Sequence, residues 1–231
     1  MVDLSTRATT LVEKMDEPDC DPRALRRTYR RFTLVNRLVS GWRSVYRSRI
    51  RPRLSAERPT RLLDVGCGGG DITLALARWA ARDGLQLEVT GVDPDRLAIN
   101  VAKDAAARGR ARARFVRATA SQLDERFDIV ASNHVVHHIA DLPGFLAETT
   151  ACCTAEGLVL HSDIERSRGA YAGFALLAVP LSPGTFVRVD GLRSIRRSYT
   201  AEELRQAAPA GWTVTRHTPR RLLLAREGGD A

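Results

Sequence analysis

The chain has 231 residues, of which 44% are hydrophobic and 27% are charged, and its formal net charge is +9. This composition is typical of one folded domain and excludes a disordered chain; the longest apolar run, 172–181, is too short to cross a bilayer, and no secretory signal is expected. The four cysteines lack metal-type spacing and predict neither a disulfide framework nor a zinc site, so we expect a cytoplasmic protein.

The positive charge is concentrated near the N-terminus. Residues 1–21 carry two basic and six acidic side chains, whereas 22–60 carry twelve arginines and one glutamate. The acidic segment lacks apolar periodicity, and we expect it to be a mobile tail. Helical periodicity begins after Asp21, a typical N-cap residue, with Pro22 at the first helical position. Gly41 is expected to divide this stretch into two helices.

Strands and helices alternate after Pro59, which predicts a parallel sheet with helices on both faces. Near the C-terminus, two β-rich runs separated by Thr218-Pro219 predict an antiparallel hairpin. Between these regions, 164–199 breaks the alternation, with a helix expected over 170–179 and irregular structure over 180–197. The predicted strands are 61–65, 87–92, 113–116, 127–132, 157–163, 212–217 and 220–225, and the predicted helices of the alternating region are 71–82, 95–108 and 143–153.

A glycine-rich loop, 66–70, joins the first strand to the following helix. Glycines let the backbone turn tightly and approach a ligand, with the amide groups of the helix facing it. The loop lacks the dinucleotide pattern, because Asp71 occupies the place of its third glycine, and it also lacks the lysine of a phosphate loop. Asp93, at the end of the second strand, can accept hydrogen bonds from both hydroxyls of a ribose. Asp64 suits an ammonium group, so the predicted ligand is a nucleoside with a cationic amino-acid tail.

With these features the chain resembles the class I S-adenosylmethionine-dependent methyltransferases over about residues 59–231. The resemblance rests on the terminal hairpin and on three stretches: Leu63-Asp64-Val65-Gly66-Cys67-Gly68-Gly69-Gly70, Gly91-Val92-Asp93-Pro94 and Phe127-Asp128-Ile129-Val130. It implies an enzyme of the α/β class, with a Rossmann-like, doubly wound, seven-stranded sheet whose last strand is antiparallel. We expect 1–58 to form a tail and a helical cap, 59–231 to form the methyltransferase domain, and 164–199 to be an insertion that covers the substrate.

The same resemblance implies which residues bind S-adenosylmethionine. Asp64, Gly66 and Gly68 would surround its methionine end, and Asp93 would bind its ribose. Thr119 stands where the family often has an aspartate that meets the adenine amino group, and its neutral hydroxyl is a weaker acceptor. The predicted cofactor-binding residues are Asp64, Gly66, Cys67, Gly68, Asp71, Asp93, Pro94, Thr119, Ala120 and Asn133.

Imidazoles and a carboxylate follow the fourth and fifth strands, at the sheet edge where open α/β proteins bind ligands. An imidazole oriented by a carboxylate is a competent general base. We therefore predict His138 as the base, with Asp163 orienting it or binding the acceptor. His137 completes a His-His pair that recurs in small-molecule methyltransferases, where the resemblance implies a role in the cofactor pocket or as the base. His134 and His161 are predicted to be structural, and no metal site is predicted.

The acceptor is predicted to be a small molecule. Tyr29, Phe32, Tyr171 and Phe174 are expected to line its pocket, and the predicted reaction is methylation of an aromatic or polyketide-like hydroxyl, as in bacterial secondary metabolism. Because 32–51 faintly resembles quinone-biosynthetic C-methyltransferases, methylation of a ring carbon is an alternative; an RNA methyltransferase and a non-catalytic cofactor binder are others. The arginine-rich helix is interpreted as a solvated face, so nucleic acid is not an expected partner. The sequence does not indicate the oligomeric state.

Overall fold

A seven-stranded sheet forms the centre of the protein, as predicted. The computed structural model describes residues 2–109, 112–217 and 220–229. The strands are β1 (Thr60–Val65), β2 (Leu87–Val92), β3 (Arg114–Val116), β4 (Phe127–Asn133), β5 (Cys153–Ile164), β6 (Thr213–His217) and β7 (Arg221–Glu227). Their order is β3-β2-β1-β4-β5-β7-β6. The strands β1 to β5 are parallel, and β7 runs antiparallel to β5 and β6, which confirms the predicted antiparallel last strand.

Helices cover both faces of this sheet. The α-helices are α1 (Pro22–Val39), α2 (Trp42–Val45), α3 (Asp71–Arg82), α4 (Arg96–Arg108), α5 (Leu142–Ala151), α6 (Arg168–Leu177), α7 (Val187–Arg197) and α8 (Ala201–Ala207). Two neighbouring residues of β1 show the layering: Leu62 shares a buried cluster with Leu76 of α3, whereas Leu63 shares another with Phe127 and Val130 of β4. Burial on both faces explains why the neighbouring Leu62 and Leu63 are both apolar, where a half-buried strand would alternate apolar with polar residues.

The N-terminal helices pack against the carboxyl-terminal end of the sheet. The Asp21 carboxylate accepts hydrogen bonds from the amides of Arg23 (2.9 Å) and Ala24 (3.2 Å), so it caps α1 as predicted. Gly41 then separates α1 from α2 with a left-handed backbone (φ 72°). The indole of the buried Trp42 donates a hydrogen bond of 2.8 Å to the Asn133 side chain, which lies at the end of β4. This contact fixes the helical cap beside the carboxyl ends of the strands.

Tyr29 is a second anchor of α1. Its hydroxyl donates a hydrogen bond of 2.7 Å to Asp95, the N-cap residue of α4. We expect Tyr29→Phe to lower the free energy of unfolding by about 1 kcal/mol, because water replaces the lost donor at the partly exposed Asp95. Urea unfolding would measure this change. Tyr171→Phe is the control, since the Tyr171 hydroxyl makes no hydrogen bond within the described residues; an equal loss in both variants would contradict the prediction.

The prediction of a mobile N-terminal tail is wrong for the described part, 2–21, which we call the N-terminal strap. The Ala8 amide donates to the Arg196 carbonyl (2.9 Å), and the Lys14 amide donates to Asp190 (2.7 Å), both on α7. Glu13 is only 2% exposed. Because the strap is held by hydrogen bonds and a buried acid rather than by an apolar stripe, hydrophobic periodicity could not reveal it.

The segment 164–199 contains two helices rather than one. The predicted helix is present as α6, but α7 occupies much of the range expected to be irregular. Two of its four buried positions are polar, namely Asp190 and Ser194 beside Val187 and Ile195. The usual apolar signal of a helix is therefore diluted in this sequence.

The hairpin prediction is confirmed by the antiparallel pairing of β6 with β7. Its predicted turn, Thr218-Pro219, lies outside the described residues. Among the helices of the described ranges, none is both long and apolar enough to cross a membrane.

Candidate active site

A cavity of about 600 Å³ opens at the carboxyl ends of the parallel strands. This is the position at which open α/β sheets bind ligands. The predicted site residues that line it are Tyr29, Phe32, Asp64, Gly66, Cys67, Gly68, Asp71, Asp93, Pro94, Asn133, His138 and Phe174. The predicted residues outside its lining are Thr119, Ala120, His137, Asp163 and Tyr171.

The glycine loop forms one wall of the cavity. Gly66, Gly68 and Gly70 all adopt left-handed backbone angles (φ 68°, 52° and 76°). The Gly68 amide donates a hydrogen bond of 2.9 Å to the Asp93 carboxylate, so the loop is tied to the end of β2. This contact also holds the Asp93 carboxylate at the rim of the cavity.

Gly70 is required by space as well as by backbone angle. A Cβ atom there would lie 2.7 Å from the Phe115 ring and 2.9 Å from the Ala102 side chain. Gly84 has a similar angle (φ 70°) but open space around it. We expect Gly84→Ala to cost the backbone strain alone, about 1–2 kcal/mol, and Gly70→Ala to cost about 1–3 kcal/mol more. Chemical denaturation of both variants measures the difference, and equal losses would show that the space around Gly70 is not limiting.

Three acids gather at this end of the cavity: the buried Asp64 and the half-buried Asp71 and Asp93. Burial raises the pKa of Asp64 to about 7, although a hydrogen bond of 2.6 Å from Thr73 opposes that rise. Burial also raises the pKa of Asp71 and of Asp93. Within the described ranges, no basic side chain lies at salt-bridge distance from any of the three. Three acids without a basic partner of their own fit a ligand that carries ammonium and sulfonium charges, as S-adenosylmethionine does.

A second group of ionisable residues lies where β4 and β5 end. His137 Nδ1 is 2.9 Å from Asp163 Oδ2, and the His137 amide donates a hydrogen bond of 2.9 Å to the same oxygen. Asp163 therefore orients His137 and not His138, which corrects the predicted pairing. His134 also contacts this acid, with Nδ1 3.3 Å from Asp163 Oδ1.

Glu13 of the N-terminal strap faces these imidazoles. Its Oε1 lies 3.3 Å from His137 Nε2 and 3.7 Å from His138 Nε2, and it accepts a hydrogen bond of 2.8 Å from Ser194. Burial disfavours a charged His137, but the negative charges of Asp163 and Glu13 outweigh it and raise the His137 pKa to about 9. Burial would likewise raise the pKa of Glu13, yet contact with the positive His137 lowers it to about 2. Glu13, His137 and Asp163 thus form a buried, charged chain.

His134, predicted to be structural, and His138 are the imidazoles that line the cavity, and His138 is the predicted base. Its side chain is 30% exposed, and its Nδ1 lies 3.5 Å from Asp16 Oδ2. Burial and the neighbouring charge of His137 lower the His138 pKa to about 3, so the ring is neutral at pH 7. A neutral ring can accept a proton or bind a cation at Nε2.

Other predicted residues have structural surroundings. Thr119 is exposed and caps a short helical turn together with Gln122, and Ala120 is buried in the core behind it. His161 is buried between Ser132 (2.8 Å) and Thr149 (3.2 Å), in a structural setting as predicted.

Sequence reasoning missed several polar residues that line the cavity, including Asn36, Asp95, Ser194 and Arg221. Four ionisable ones surround the histidine end: Glu13, Asp16, Asp190 and Arg197. All four belong to the N-terminal strap or to α7, the two segments whose order was not predicted. They carry no local motif, because only the tertiary packing of the strap against α7 brings them to the histidines.

Comparisons of the sequence with known proteins agree on one family. A family model described as a methyltransferase domain matches residues 40–217. The ubiquinone biosynthesis O-methyltransferase of Methylobacterium sp. (strain 4-46) is 32% identical over 160 residues, which are 68% of this chain and 61% of that protein. Its namesake from Azorhizobium caulinodans is 35% identical over 115 residues, 48% of this chain and 43% of that protein. The matches thus span less than two thirds of the length of these relatives.

Solved structures show the same fold at low sequence identity. The plantazolicin methyltransferase BpumL in complex with SAH gives a TM-score of 0.57 at 14% identity, covering 90% of this chain and 95% of that one. A SAM-dependent methyltransferase from Aquifex aeolicus gives 0.59 at 13% identity, covering 89% and 97%. Because the family model matches more than half of its length and its seven-stranded sheet has the predicted antiparallel last strand, this chain belongs to the class I S-adenosylmethionine-dependent methyltransferases.

Proposed function

We propose that this protein transfers the methyl group of S-adenosylmethionine to a hydroxyl of a small aromatic or polyketide-like acceptor. The observation that carries the proposal is a single cavity with two chemically different ends. One end has the glycine loop, the buried Asp64 and the half-buried Asp93, and the other has the neutral His138. The names of the curated relatives, which are O-methyltransferases, favour oxygen over carbon as the methylated atom.

The walls of the cavity favour a ring as the acceptor. Phe32, Val35 and Val39 of α1 and Phe174 of α6 present apolar surface to the cavity. Apolar walls with a small number of polar groups are typical of pockets for small organic ligands. Tyr171, predicted to line the same pocket, is absent from its lining and is not part of the proposal.

The chain's own residues then have separate tasks. When bound, S-adenosylmethionine supplies an electrophilic methyl group on a sulfonium. Asp64 binds its ammonium group and Asp93 its ribose, while Tyr29 packs 3.7 Å from the position of a Cβ on Gly68 and covers the loop. His138 accepts the proton of the acceptor hydroxyl. Positioning and exclusion of water provide most of the rate enhancement that such a displacement needs.

The arginines of α1 do not support RNA as the acceptor. Aromatic side chains stack on bases in many single-strand binders, but Tyr29 and Phe32 of this helix face the cavity rather than the exposed arginines. A small acceptor is therefore the better fit to the described surface.

The test is a product analysis with paired acceptors. The purified chain is incubated with S-adenosylmethionine and a panel of phenols and hydroxylated polyketides, each beside its O-methyl ether. We expect mass increments only for compounds with a free hydroxyl, and fragmentation that places the methyl on oxygen. Methylation of the blocked ethers would indicate carbon as the acceptor atom, and methylation of RNA alone would contradict the proposal.

A further inference from the structure

Two imidazoles and one carboxylate converge at the histidine end of the cavity. Oε1 of Glu13 lies 3.3 Å from His137 Nε2 and 3.7 Å from His138 Nε2, and these three atoms all lie within 4.8 Å of one another. In a tetrahedral site with bonds of about 2.0–2.2 Å, ligand atoms are about 3.3–3.6 Å apart. The observed spacing is close to that of three ligands on one cation.

The other nitrogen of each ring also faces an acid. His137 Nδ1 is 2.9 Å from Asp163, and His138 Nδ1 is 3.5 Å from Asp16. Metal-binding histidines almost always offer their second ring nitrogen to a carboxylate, a carbonyl or water, which fixes the tautomer and directs the other lone pair at the metal. Glu13 itself accepts a hydrogen bond from Ser194, as ligating carboxylates commonly do.

One nitrogen of this group has an ion-pair contact with Glu13 but is left without a well-formed hydrogen bond by the described residues. His137 Nε2 is fully buried and makes no hydrogen bond of good geometry within the described residues, although Glu13 is near. A buried polar atom without a partner is rare and requires an explanation. This nitrogen lies near the carboxylate of Glu13 and the imidazole of His138, the other two residues of the group.

The charge around the group also favours a cation. Asp163 and Asp16 contact the two imidazoles, and Asp190 lies near Glu13. Two arginines, Arg197 and Arg221, also line the cavity, and Arg197 Nη1 lies 4.0 Å from Glu13 and 3.9 Å from Asp16. Negative charge therefore remains in excess at the group.

We propose that Glu13, His137 and His138 bind one divalent transition-metal cation of the zinc type. Two imidazole nitrogens and one carboxylate oxygen suit zinc, iron or cobalt better than magnesium, which prefers oxygen ligands. Glu13 and His138 line the cavity, so a fourth coordination position opens toward the acceptor. Three protein ligands with one open position are typical of catalytic rather than structural zinc sites.

The role of this cation rests on the proposed function. The acceptor oxygen occupies the open position, its proton passes to water, and the cation stabilises the resulting oxyanion. The bond that forms joins this oxygen to the methyl carbon, and the bond that breaks is that of the methyl carbon to sulfur, whose electron pair stays on sulfur. No atom changes oxidation state at the metal. With the cation bound, His138 acts as a ligand and water replaces it as the proton acceptor.

The experiment uses the full chain without an affinity tag, stripped with EDTA and then freed of it. Zinc is titrated in competition with a chromophoric chelator, and we expect one bound equivalent. Glu13→Gln and His138→Gln should each raise the zinc dissociation constant at least about tenfold. Glu17→Gln makes the same change in the same strap, at an acid paired with Lys14, and should leave zinc affinity unchanged. Because the His138 side chain is 30% exposed, we expect His138→Gln to fold. This variant tests the inference even if Glu13→Gln does not fold.

Two further measurements complete the test: the absorption spectrum of the protein loaded with Co²⁺, and the turnover with and without zinc. Bound Co²⁺ should show d–d bands without a thiolate charge-transfer band, which excludes the vicinal Cys152 and Cys153 as its ligands. Loading with zinc should raise turnover at least about tenfold over the stripped protein. Absence of zinc binding, zinc affinity in both variants equal to that of the unmodified protein, or equal turnover with and without zinc would overturn the inference. If the metal-free protein methylated a hydroxyl equally well, the proposed function would stand with His138 as the base. If neither the metal-free nor the zinc-loaded protein methylated any acceptor, the proposed function itself would be contradicted.

Discussion

Replacing His138 by glutamine is expected to lower kcat by about 10²–10⁴-fold while leaving the dissociation constant for S-adenosylhomocysteine unchanged. His138 is the imidazole of the pair that lines the cavity, whereas His137 is enclosed by Glu13 and Asp163. Glutamine keeps a polar side chain of similar reach but can neither accept the hydroxyl proton as a base nor bind a cation as imidazole does. Single-turnover assays with saturating acceptor would measure the chemical step apart from product release.

The control for this variant is His217→Gln. His217 lies on β6 with Nε2 3.2 Å from Ser162, and it is outside the lining of the cavity. We expect its kcat to stay within about twofold of the unmodified protein, since His217 does not line the cavity. If His138→Gln turned over at the normal rate, His138 would be neither base nor ligand. If its cofactor affinity fell as far as its kcat, the residue would instead act on the cofactor pocket.

Much of the fold could be predicted because its signals are local. The helix α3 was predicted with the bounds that it has, since its apolar face recurs at helical steps and the glycine loop marks its start. The strands β1 and β2 are bounded by prolines, glycines and an aspartate, and their apolar residues are buried on both faces. Each of these features depends on neighbours in sequence, which a single chain displays directly.

The histidine end of the site could be predicted only in part. The sequence places His137 and His138 after β4 and Asp163 at the end of β5, but it does not determine which ring meets the acid. That choice is made by the helical turn Val136–His138, which directs the first ring inward and the second toward the cavity. Glu13 could not be assigned at all, because its buried position depends on the contact of the strap with α7 and on no local pattern.

Thr119, the residue matched to the adenine amino group, shows a limit of inference from a family resemblance. Thr119 is matched by its place in the chain, but it is exposed, and its backbone N–H already donates a hydrogen bond to the Gln122 side chain (2.9 Å). Position along the sequence identifies the strand end, whereas the direction of a side chain depends on the capping turn that follows. Asp64 and Asp93, which lie at the ends of longer strands, were placed correctly at the cavity.

Replacing Asp64 by asparagine is expected to weaken binding of S-adenosylhomocysteine by about 10–150-fold at pH 8, the loss typical of one hydrogen bond to a charged group. Asp64 is buried, has no basic partner at salt-bridge distance among the described residues, and has its pKa raised to about 7 by burial. Because only the ionised carboxylate attracts the ligand's ammonium group, affinity in the unmodified protein should rise as the pH increases from 6 to 8. The limiting slope below the pKa is tenfold per pH unit.

Calorimetry across this pH range tests both parts of the expectation. In the unmodified protein, binding near pH 6.5 should release a proton, which appears as a dependence of the heat on the ionisation enthalpy of the buffer. Asp64→Asn should abolish that release and flatten the pH profile. Asp104→Asn, a charge change on the exposed face of α4, should do neither. A pH-independent affinity in the unmodified protein would show that Asp64 is not the group that meets the ammonium, and the acidic end of the cavity would then need another ligand to explain its three uncompensated carboxyl groups.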